Sequence, residues 1–267
     1  MDIDQNDPLV QQSASINPYR LAASYFYRRL MWDFKKESWR SRRKLKGLKD
    51  KYEGEKAVIL CNGPSLLKVD FSLLEGTYSF GLNKINLLFD KNNYRPGSIV
   101  SVNRLVIEQN KDFFNETDIP LFIDSKGIKH IKPGKNICFL PSTYHRAFAK
   151  DCSMNIYQGH TVTFVALQLA FYMGFSKVAL VGCDHNFAAK GPANQVVTSG
   201  DKDESHFDPS YFSGGVKWEL PDLFESEVSF MMAKNMYEAY GRKIVNSTTG
   251  GQLDVFKREP LESFLAK

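Results

Sequence analysis

The chain has 267 residues, of which 43% are hydrophobic and 24% charged, a balance that suits one large α/β domain with a sizeable buried core. The formal net charge of +5 comes from one segment, because residues 20–51 hold twelve Lys or Arg and three acidic residues, a net +9, and the rest of the chain sums to −4. A main body with negative net charge argues against a nucleic-acid-binding core.

Residues 1–18 are predicted to form a disordered leader. They are polar and acidic, unlike a signal peptide, and no uncharged apolar run in the chain approaches the roughly 18–20 residues of a membrane span. We therefore expect a cytoplasmic protein.

The segment 19–52 is predicted to form one or two helices in which aromatic and basic residues are interleaved. A helix of this composition can lie on the inner membrane, with Trp and Tyr at the headgroup level and Lys and Arg towards the lipid charge. The same aromatic residues can instead pack against the protein's own domain or a second subunit, and both interpretations stay open. The apolar and aromatic residues concerned are Tyr19, Leu21, Tyr25, Phe26, Leu30, Trp32, Phe34 and Trp39.

From Lys56 onward, short apolar strands alternate with helical segments. The strongest helix is predicted over 161–173, because Thr161 opens it and Gly174 closes it. This rhythm predicts an α/β fold, a Rossmann-like doubly wound and mainly parallel sheet with its ligand at the carboxyl ends of the strands. The predicted strands are 57–60, 78–82, 98–102, 121–123, 137–139, 178–181 and 243–245.

The segment 186–222 is predicted to be an extended lid insertion. It is rich in Gly and Pro and has little periodicity, and its aromatic residues favour an ordering lid over a passive linker. A helix is predicted over 223–240, ended by a glycine. We place the catalytic domain at 53–258 and a tail at 259–267.

The cysteines are scattered along the chain without a Cys-x-x-Cys pair, which indicates neither a zinc knuckle nor a disulfide framework. We expect reduced, mostly buried thiols at Cys61, Cys138, Cys152 and Cys183.

The sequence Asn62-Gly63-Pro64-Ser65 follows the first predicted strand and is typical of a phosphate-binding loop. Its backbone N–H groups can face an anion, and Ser65 is placed as the N-cap of a following helix. We therefore predict a nucleotide site at this end of the sheet.

Asparagines follow three successive predicted strands, at Asn62, Asn83 and Asn103. A carboxamide can hydrogen-bond phosphate, ribose or base without a negative charge that repels the nucleotide. One such residue is more often a turn former, but three at successive strand ends favour a ligand-binding role. A fourth strand end, containing Asp184 and His185, is also polar.

Residues 56–256 resemble the proteins grouped as domain of unknown function 115. Relatives of this group include the archaeal 6-hydroxymethyl-dihydropterin pyrophosphokinase and the bacterial family 42 sialyltransferases. The segments that carry the resemblance are 62–66, 161–175, 181–185 and 205–212.

The two branches of this resemblance imply different chemistry. A pyrophosphokinase holds ATP with Mg²⁺ and needs carboxylates beside the phosphates, and its relatives carry acidic pairs at the second and third strand ends. This chain has Asn83 and Asn103 there. The sialyltransferases use a CMP-activated sugar, need no metal to bind it, and place asparagines at these strand ends.

On the sialyltransferase resemblance, residues of three loops would hold the nucleotide-sugar donor. Asn62 and Gly63 would lie near its phosphate and sugar, and Asn83 and Asn103 near its base or ribose. Thr161 would form the opposite wall. The implied donor site is completed by Pro64, Ser65 and Thr163.

The catalytic base is not fixed by the resemblance. The family 42 enzymes carry a histidine base at the end of the lid motif, where this chain has Ser210, and their phosphate-binding tyrosines are absent after Asp184. His206 can serve as the base or hold the lid, and Asp208 can be a base or a turn residue. The candidate catalytic residues are His206, Asp208, Asp184 and His185, with Tyr211 as a further candidate for the missing groups.

We expect a glycosyltransferase-like enzyme that transfers a sugar from a nucleotide-activated, CMP-linked donor to a glycan or glycolipid acceptor. The expectation includes no metal site, no cofactor beyond this co-substrate and no nucleic-acid partner, and it leaves the oligomeric state open. One alternative is a 6-hydroxymethylpterin diphosphokinase-like enzyme using ATP and Mg²⁺. Another is a non-catalytic nucleotide-sugar-binding module, consistent with Ser210.

Overall fold

A computed structural model describes residues 17–187 and 191–266 of the chain. Most of the predicted leader therefore lies outside the described residues. Its last two residues begin the first helix, where the Asn17 side chain accepts hydrogen bonds from the N–H groups of Tyr19 and Arg20, and Pro18 occupies the first helical position.

The helices and strands alternate from residue 56 onward, as the sequence predicts. The helices are α1 (Pro18–Asp33), α2 (Lys36–Leu48), α3 (Arg104–Gln109), α4 (Lys111–Glu116), α5 (Val162–Tyr172), α6 (Leu223–Ala239) and α7 (Leu261–Leu265). The strands are β1 (Lys56–Leu60), β2 (Tyr78–Leu82), β3 (Ser98–Ser101), β4 (Leu121–Asp124), β5 (Ile137–Leu140), β6 (Ser142–Thr143), β7 (Ile156–Tyr157), β8 (Lys177–Val181), β9 (Val196–Thr198), β10 (Lys217–Glu219), β11 (Lys243–Asn246) and β12 (Lys257–Arg258).

The centre of the described protein is an eight-stranded sheet in the order β12-β11-β8-β1-β2-β3-β4-β5, with every pair parallel. This confirms the Rossmann-like α/β class and the seven predicted strands. From β1 the chain adds β2, β3, β4 and β5 on one side of β1. It then crosses back and adds β8, β11 and β12 on the other side. The carboxyl ends of β1 and β8 therefore form the switch point at which such sheets bind ligands.

The two faces of the sheet carry separate hydrophobic clusters. Helix α5 is buried almost throughout, between the sheet and α6, and the Tyr237 hydroxyl of α6 donates to the Leu167 carbonyl at 2.7 Å. Thr161 caps α5 and Gly174 follows it with a φ of 101°, so both predicted helix ends are confirmed.

Helix α2 packs on the edge strand β5. The Phe139 N–H donates to Ser41 Oγ at 2.9 Å, the Lys44 ammonium donates to the Ile137 carbonyl at 2.6 Å, and Leu45 is fully buried. These bonds cover a sheet edge that would otherwise be open to another chain. The domain boundary at residue 53 stays a prediction, but α2 shares the hydrophobic core of the sheet.

The predicted tail 259–267 contains α7, which packs near the start of β1. Lys56 donates to the carbonyls of Phe264 and Ala266 at 2.6 and 2.7 Å, and Phe264 is buried. The sequence pattern did not indicate this short helix.

The insertion 186–222 is more regular than the sequence predicts. Strands β9 and β10 form an antiparallel pair, and the loop between them folds back onto the sheet. The Phe207 N–H donates to the Asn62 carbonyl at 2.9 Å, which fixes this loop to the end of β1. Residues 188–190 of the insertion lie outside the described residues.

In the described residues, no helix is long and apolar enough to cross a membrane. All four cysteines are free and buried, as predicted.

Candidate functional site

A cavity of about 260 Å³ lies at the carboxyl ends of β1, β2, β3 and β8, beneath the insertion. This is the position that the strand order predicts for a ligand. Of the predicted site residues, those that line the cavity are Asn62, Gly63, Asn83, Asn103, Thr161, Thr163, Asp184, His185, His206 and the further candidate Tyr211. Pro64, Ser65 and Asp208 are not part of its lining.

The loop after β1 is held by Asp184 and does not present all its amides to a ligand. Ser65 donates to Asp184 Oδ2 from its N–H at 3.2 Å and from its hydroxyl at 2.7 Å, and the Gly63 N–H donates to the Gly182 carbonyl at 2.8 Å. The predicted N-cap role of Ser65 is wrong, because Gly63 precedes a short 3₁₀ turn, Pro64–Lys68, rather than an α-helix. The Asp184 carboxylate occupies donors that the sequence assigned to a phosphate.

Asn62 is the predicted asparagine whose side chain retains hydrogen-bonding capacity. Its Oδ1 is buried and has no hydrogen-bond partner among the described residues, and the residue is 91% buried in the cavity wall. A buried acceptor without a partner costs about 1–3 kcal/mol. A hydroxyl or amino group of a bound ligand would offset that cost.

The other two asparagines are engaged within the protein. Asn83 adopts a φ of 48°, a conformation that Asn tolerates, and accepts a hydrogen bond from the Ser101 hydroxyl at 3.2 Å. Asn103 caps α3 and donates to Glu219 Oε2 at 3.0 Å. Asn103 therefore has a structural role as a helix cap, and it also lies at the cavity.

The two threonines at the start of α5 also have structural partners. Thr161 accepts a hydrogen bond from the Thr163 N–H at 3.3 Å, and the Thr163 hydroxyl lies 3.7 Å from the Cys61 sulfur. These contacts join the first turn of α5 to the end of β1, and both residues remain on the cavity surface.

His206 has a carboxylate partner that the sequence did not identify. Its Nδ1 lies 2.8 Å from Asp203 Oδ2, and its ring stacks on Tyr211 with centroids 4.0 Å apart and planes 2° apart. Nδ1 is therefore committed to Asp203, and Nε2 is the ring nitrogen that this pair leaves unused in a residue that lines the cavity. The spacing of three residues between Asp203 and His206 was the signal available in the sequence.

Asp203 is held as a carboxylate. Burial alone would raise its pKa, but the hydrogen bond and charge of His206 and the N–H groups of Ser205 and Phe212 outweigh burial and lower the pKa. An ionised Asp203 fixes the tautomer and orientation of the His206 ring.

Lys84 lies behind this pair, against the aromatic side chains of the insertion. Its ammonium donates to the Tyr211 carbonyl at 2.6 Å and lies 4.8 Å from the centroid of the Phe212 ring. Burial lowers the pKa of Lys84 to about 8, and the nearby Asp203 charge opposes this shift. Lys84 thus joins the end of β2 to the insertion.

We expect Lys84 to make stability depend on pH in a defined window. The unfolded chain has a Lys pKa of 10.5 and the folded chain about 8, so between these values the unfolded state binds more protons and the contribution of Lys84 to the free energy of unfolding rises with pH. Urea unfolding from about pH 7 to about pH 10 should show the wild type gaining stability relative to Lys84→Met. A constant or decreasing difference would contradict this assignment.

Two further histidines lie at the cavity, each facing a carboxylate. His185 has a φ of 53°, and its Nε2 lies 3.0 Å from Glu227 Oε1 on α6. His160 has a φ of 58°, and its Nδ1 lies 3.9 Å from Asp222 Oδ2. His160 was missed by the sequence analysis because an isolated histidine before a helix carries no recognisable pattern.

Asp208 has a structural role in the insertion. It forms an ion pair with Lys91 at 2.6 Å and accepts hydrogen bonds from the N–H and hydroxyl of Ser210, at 2.8 and 2.5 Å. Burial would raise the pKa of Asp208, but the bonds from Lys91 and Ser210 outweigh burial and lower it. Asp208 is therefore an ionised, paired carboxylate in a turn outside the cavity wall, and its predicted catalytic role stays a prediction.

A buried carboxylate at the end of β4, Asp124, was also missed. It accepts hydrogen bonds from the Ser142 hydroxyl, from Gln158 Nε2 at 3.2 Å and from the Lys126 N–H at 2.7 Å, and burial raises its pKa. Because Gln158 also lines the cavity, Asp124 fixes the floor of the site through that side chain.

The carboxylates at this cavity have partners within the protein. Mg²⁺ on nucleotide phosphates is held by one or two carboxylates, and here Asp184 Oδ2 accepts from Ser65, Asp222 caps α6 and Glu219 accepts from Asn103. Within residues 17–187 and 191–266, no group of three or more His, Cys, Asp or Glu side chains is arranged to hold a metal ion.

Fold and cavity together define the class of protein, a Rossmann-like α/β protein with a ligand cavity at the switch point of its parallel sheet. The chain belongs to the MptE-like family, since residues 35–190 match the family described as 6-hydroxymethylpterin diphosphokinase MptE-like. This match confirms the resemblance to domain of unknown function 115 and its pterin pyrophosphokinase relatives.

Among solved structures, the chain is similar to the MAf glycosyltransferase from Magnetospirillum magneticum AMB-1, with 15% sequence identity and a TM-score of 0.49. The similarity covers 86% of this chain and 39% of that one, so the chain spans about two fifths of that protein's length. No curated protein matches the chain.

Proposed function

We propose that the protein is a glycosyltransferase-like enzyme that binds a nucleotide-activated sugar, CMP-linked, in the cavity at the strand ends. The observation that carries this proposal is the set of three carboxamides, Asn62, Asn83 and Asn103, at strand ends where a magnesium–ATP site would place carboxylates. The transfer would supply a surface polysaccharide or glycolipid.

Asn62 is the residue we assign to donor binding first. Its buried Oδ1 has no partner among the described residues, so it can accept a hydrogen bond from a ribose or sugar hydroxyl at little cost. A neutral carboxamide at this strand end adds no negative charge that would repel the donor phosphate.

His206 is the residue we assign as general base. Its Nε2 would accept the proton of the acceptor hydroxyl while that oxygen bonds to the anomeric carbon and the bond from this carbon to the phosphate oxygen breaks. Asp203, bound to Nδ1, would stabilise the imidazolium that forms. We assign His185 no donor role towards the phosphate, because its Nε2–H is bound to Glu227 and Nδ1 of a neutral ring can only accept.

A diphosphokinase activity is the second candidate, and the family match favours it. That reaction would transfer a pyrophosphoryl group from ATP to a hydroxymethyl group and would require Mg²⁺. The carboxylates of the described cavity are bound to neighbouring side chains or helix ends, which makes this candidate the weaker of the two.

A panel of nucleotides separates these candidates. We expect CMP to raise the melting temperature in the presence of EDTA, and a CMP-linked sugar to be hydrolysed or transferred with release of CMP. If ATP together with Mg²⁺ is the only addition that stabilises the protein, the transferase proposal is contradicted and the diphosphokinase is supported. CMP binding without turnover of any donor would support the non-catalytic module, consistent with Ser210 at the position where the family 42 enzymes carry their histidine base.

A further inference from the structure

Helix α1 has an inverted distribution of polarity. Six large side chains that it turns away from the protein are apolar or aromatic, with exposures from 41% to 83%, and Arg20 is exposed beside them. Arg29 and Asp33 instead pair with each other at 2.9 Å on the side that faces the protein, where Asp33 also pairs with Arg42 of α2. The outer face of α1 consists of Tyr19, Phe26, Tyr27, Leu30, Met31 and Phe34.

The spacing of these residues makes one continuous stripe. Positions 19, 26, 30 and 34, with 27 and 31 beside them, recur at intervals of three, four and seven, and lie on one side of a helix about 24 Å long. Scattered exposed apolar residues are ordinary, but a contiguous apolar helix face indicates an interaction surface.

The adjoining helix α2 carries a basic cluster on its exposed side. Trp39 follows the apolar stripe, with 67% of its surface exposed and its indole N–H bonded to the Asp33 carbonyl at 2.8 Å. One of these cations, Arg40, has an acidic neighbour, with its Nη1 4.0 Å from Glu37 Oε1. The basic cluster consists of Lys35, Lys36, Arg40, Arg43, Lys46 and Lys49, all exposed.

We propose that the outer face of α1 and the basic cluster of α2 dock the protein on an anionic lipid bilayer. The apolar stripe would enter the boundary between headgroups and acyl chains, Trp39 would lie at the headgroup level, and the basic cluster would meet the negative lipid charge. Helix α1 is too short to span a membrane, so it lies in the plane of the surface.

Charge distinguishes this occupant from a second copy of the chain. Two copies pressed together through α1 would bring two basic clusters near each other, whereas an anionic surface complements the net +9 of residues 20–51. The docking surface is separate from the cavity, so its test needs no assumption about the reaction.

The test is co-sedimentation of the full chain with lipid vesicles. We expect binding to phosphatidylcholine vesicles that contain roughly one third phosphatidylglycerol, little binding to pure phosphatidylcholine, and weaker binding as salt increases. Phe26→Ser with Leu30→Ser and Phe34→Ser should reduce partitioning about tenfold or more, because these apolar side chains are the inserting part.

Two control variants distinguish insertion of the apolar stripe from charge attraction and from the loss of exposed apolar side chains elsewhere. Lys36→Gln with Arg40→Gln, Arg43→Gln and Lys46→Gln should abolish the preference for anionic vesicles. Phe224→Ser with Met231→Ser, which are 72% and 56% exposed on α6, should bind as the wild type does.

Three results would overturn the proposal. These are no binding of the wild type to anionic vesicles, unchanged binding of the α1 variant, or a wild-type dimer in light scattering that the α1 variant converts to a monomer without any vesicle binding. The third result would make the outer face of α1 an interface between two copies.

Discussion

Replacement of His206 by Gln should lower kcat for release of CMP from the donor by about 10²–10⁴-fold. The Gln side chain is similar in size to His and has a polar end. It has no basic nitrogen that can take the proton of the acceptor hydroxyl. Donor affinity should change by no more than about twofold, because the reaction step rather than ground-state binding needs the base. Stopped or continuous assays of CMP release, together with calorimetric Kd values, measure both quantities.

Asp203→Asn is the companion variant. Asn at this position has no charge to stabilise the His206 imidazolium, and its N–H can bind Nδ1 and so favour the wrong tautomer of the ring. We expect kcat to fall by about 10²-fold or more with the fold intact. His145→Gln provides a control, since this histidine is exposed and contacts Tyr25 outside the cavity. Wild-type turnover in His206→Gln would remove the base assignment.

Replacement of Gly63 by Ala should destabilise the protein by about 1–3 kcal/mol and abolish donor binding. A Cβ at this position would collide with Asp184 Oδ2 and would lie 2.7 Å from the Gly182 carbonyl oxygen. Asp184 cannot move away without losing its bonds to Ser65, and the second obstacle is backbone. Urea unfolding gives the change in free energy of unfolding, and calorimetry gives the loss of binding.

Gly47→Ala is a matched control for this effect. Gly47 lies within α2, and no atom lies within 4 Å of a Cβ built there, so Ala should leave stability unchanged or raise it by about 0.5–1 kcal/mol. Equal stabilities of the two alanine variants would show that the close approach of β1 and β8 at their carboxyl ends is not needed.

The fold could be predicted from the sequence because its signals are local. Parallel strands that are buried on both faces appear as short apolar runs, and α5 has both a Thr cap and a terminal Gly. Strand β12 was missed because it contains two exposed residues, and the β9–β10 pair because its strands have three residues each. Such short elements depend on pairing partners rather than on their own sequence pattern.

The site was predictable in position but less so in its contacts. The strand ends that carry Asn62, Asn83 and Asn103 do meet at one cavity, since parallel strands share an edge. The pairing of Asp184 with Ser65 joins residues far apart in sequence, and no local pattern announces it. The contact between the Lys84 ammonium and the Tyr211 carbonyl exists only because the folded insertion buries Lys84, which no local pattern indicates.

Calorimetric titration of CMP in EDTA is the most direct test of the central claim that the cavity holds a nucleotide-activated sugar without a metal. We predict that the wild type binds CMP under these conditions and that Asn62→Ala weakens binding about tenfold, the loss of one buried hydrogen bond. Asn62 is the better choice for this variant, because the φ of 48° at Asn83 would strain an alanine there. Absence of CMP binding, with binding of ATP only when Mg²⁺ is present, would contradict the claim.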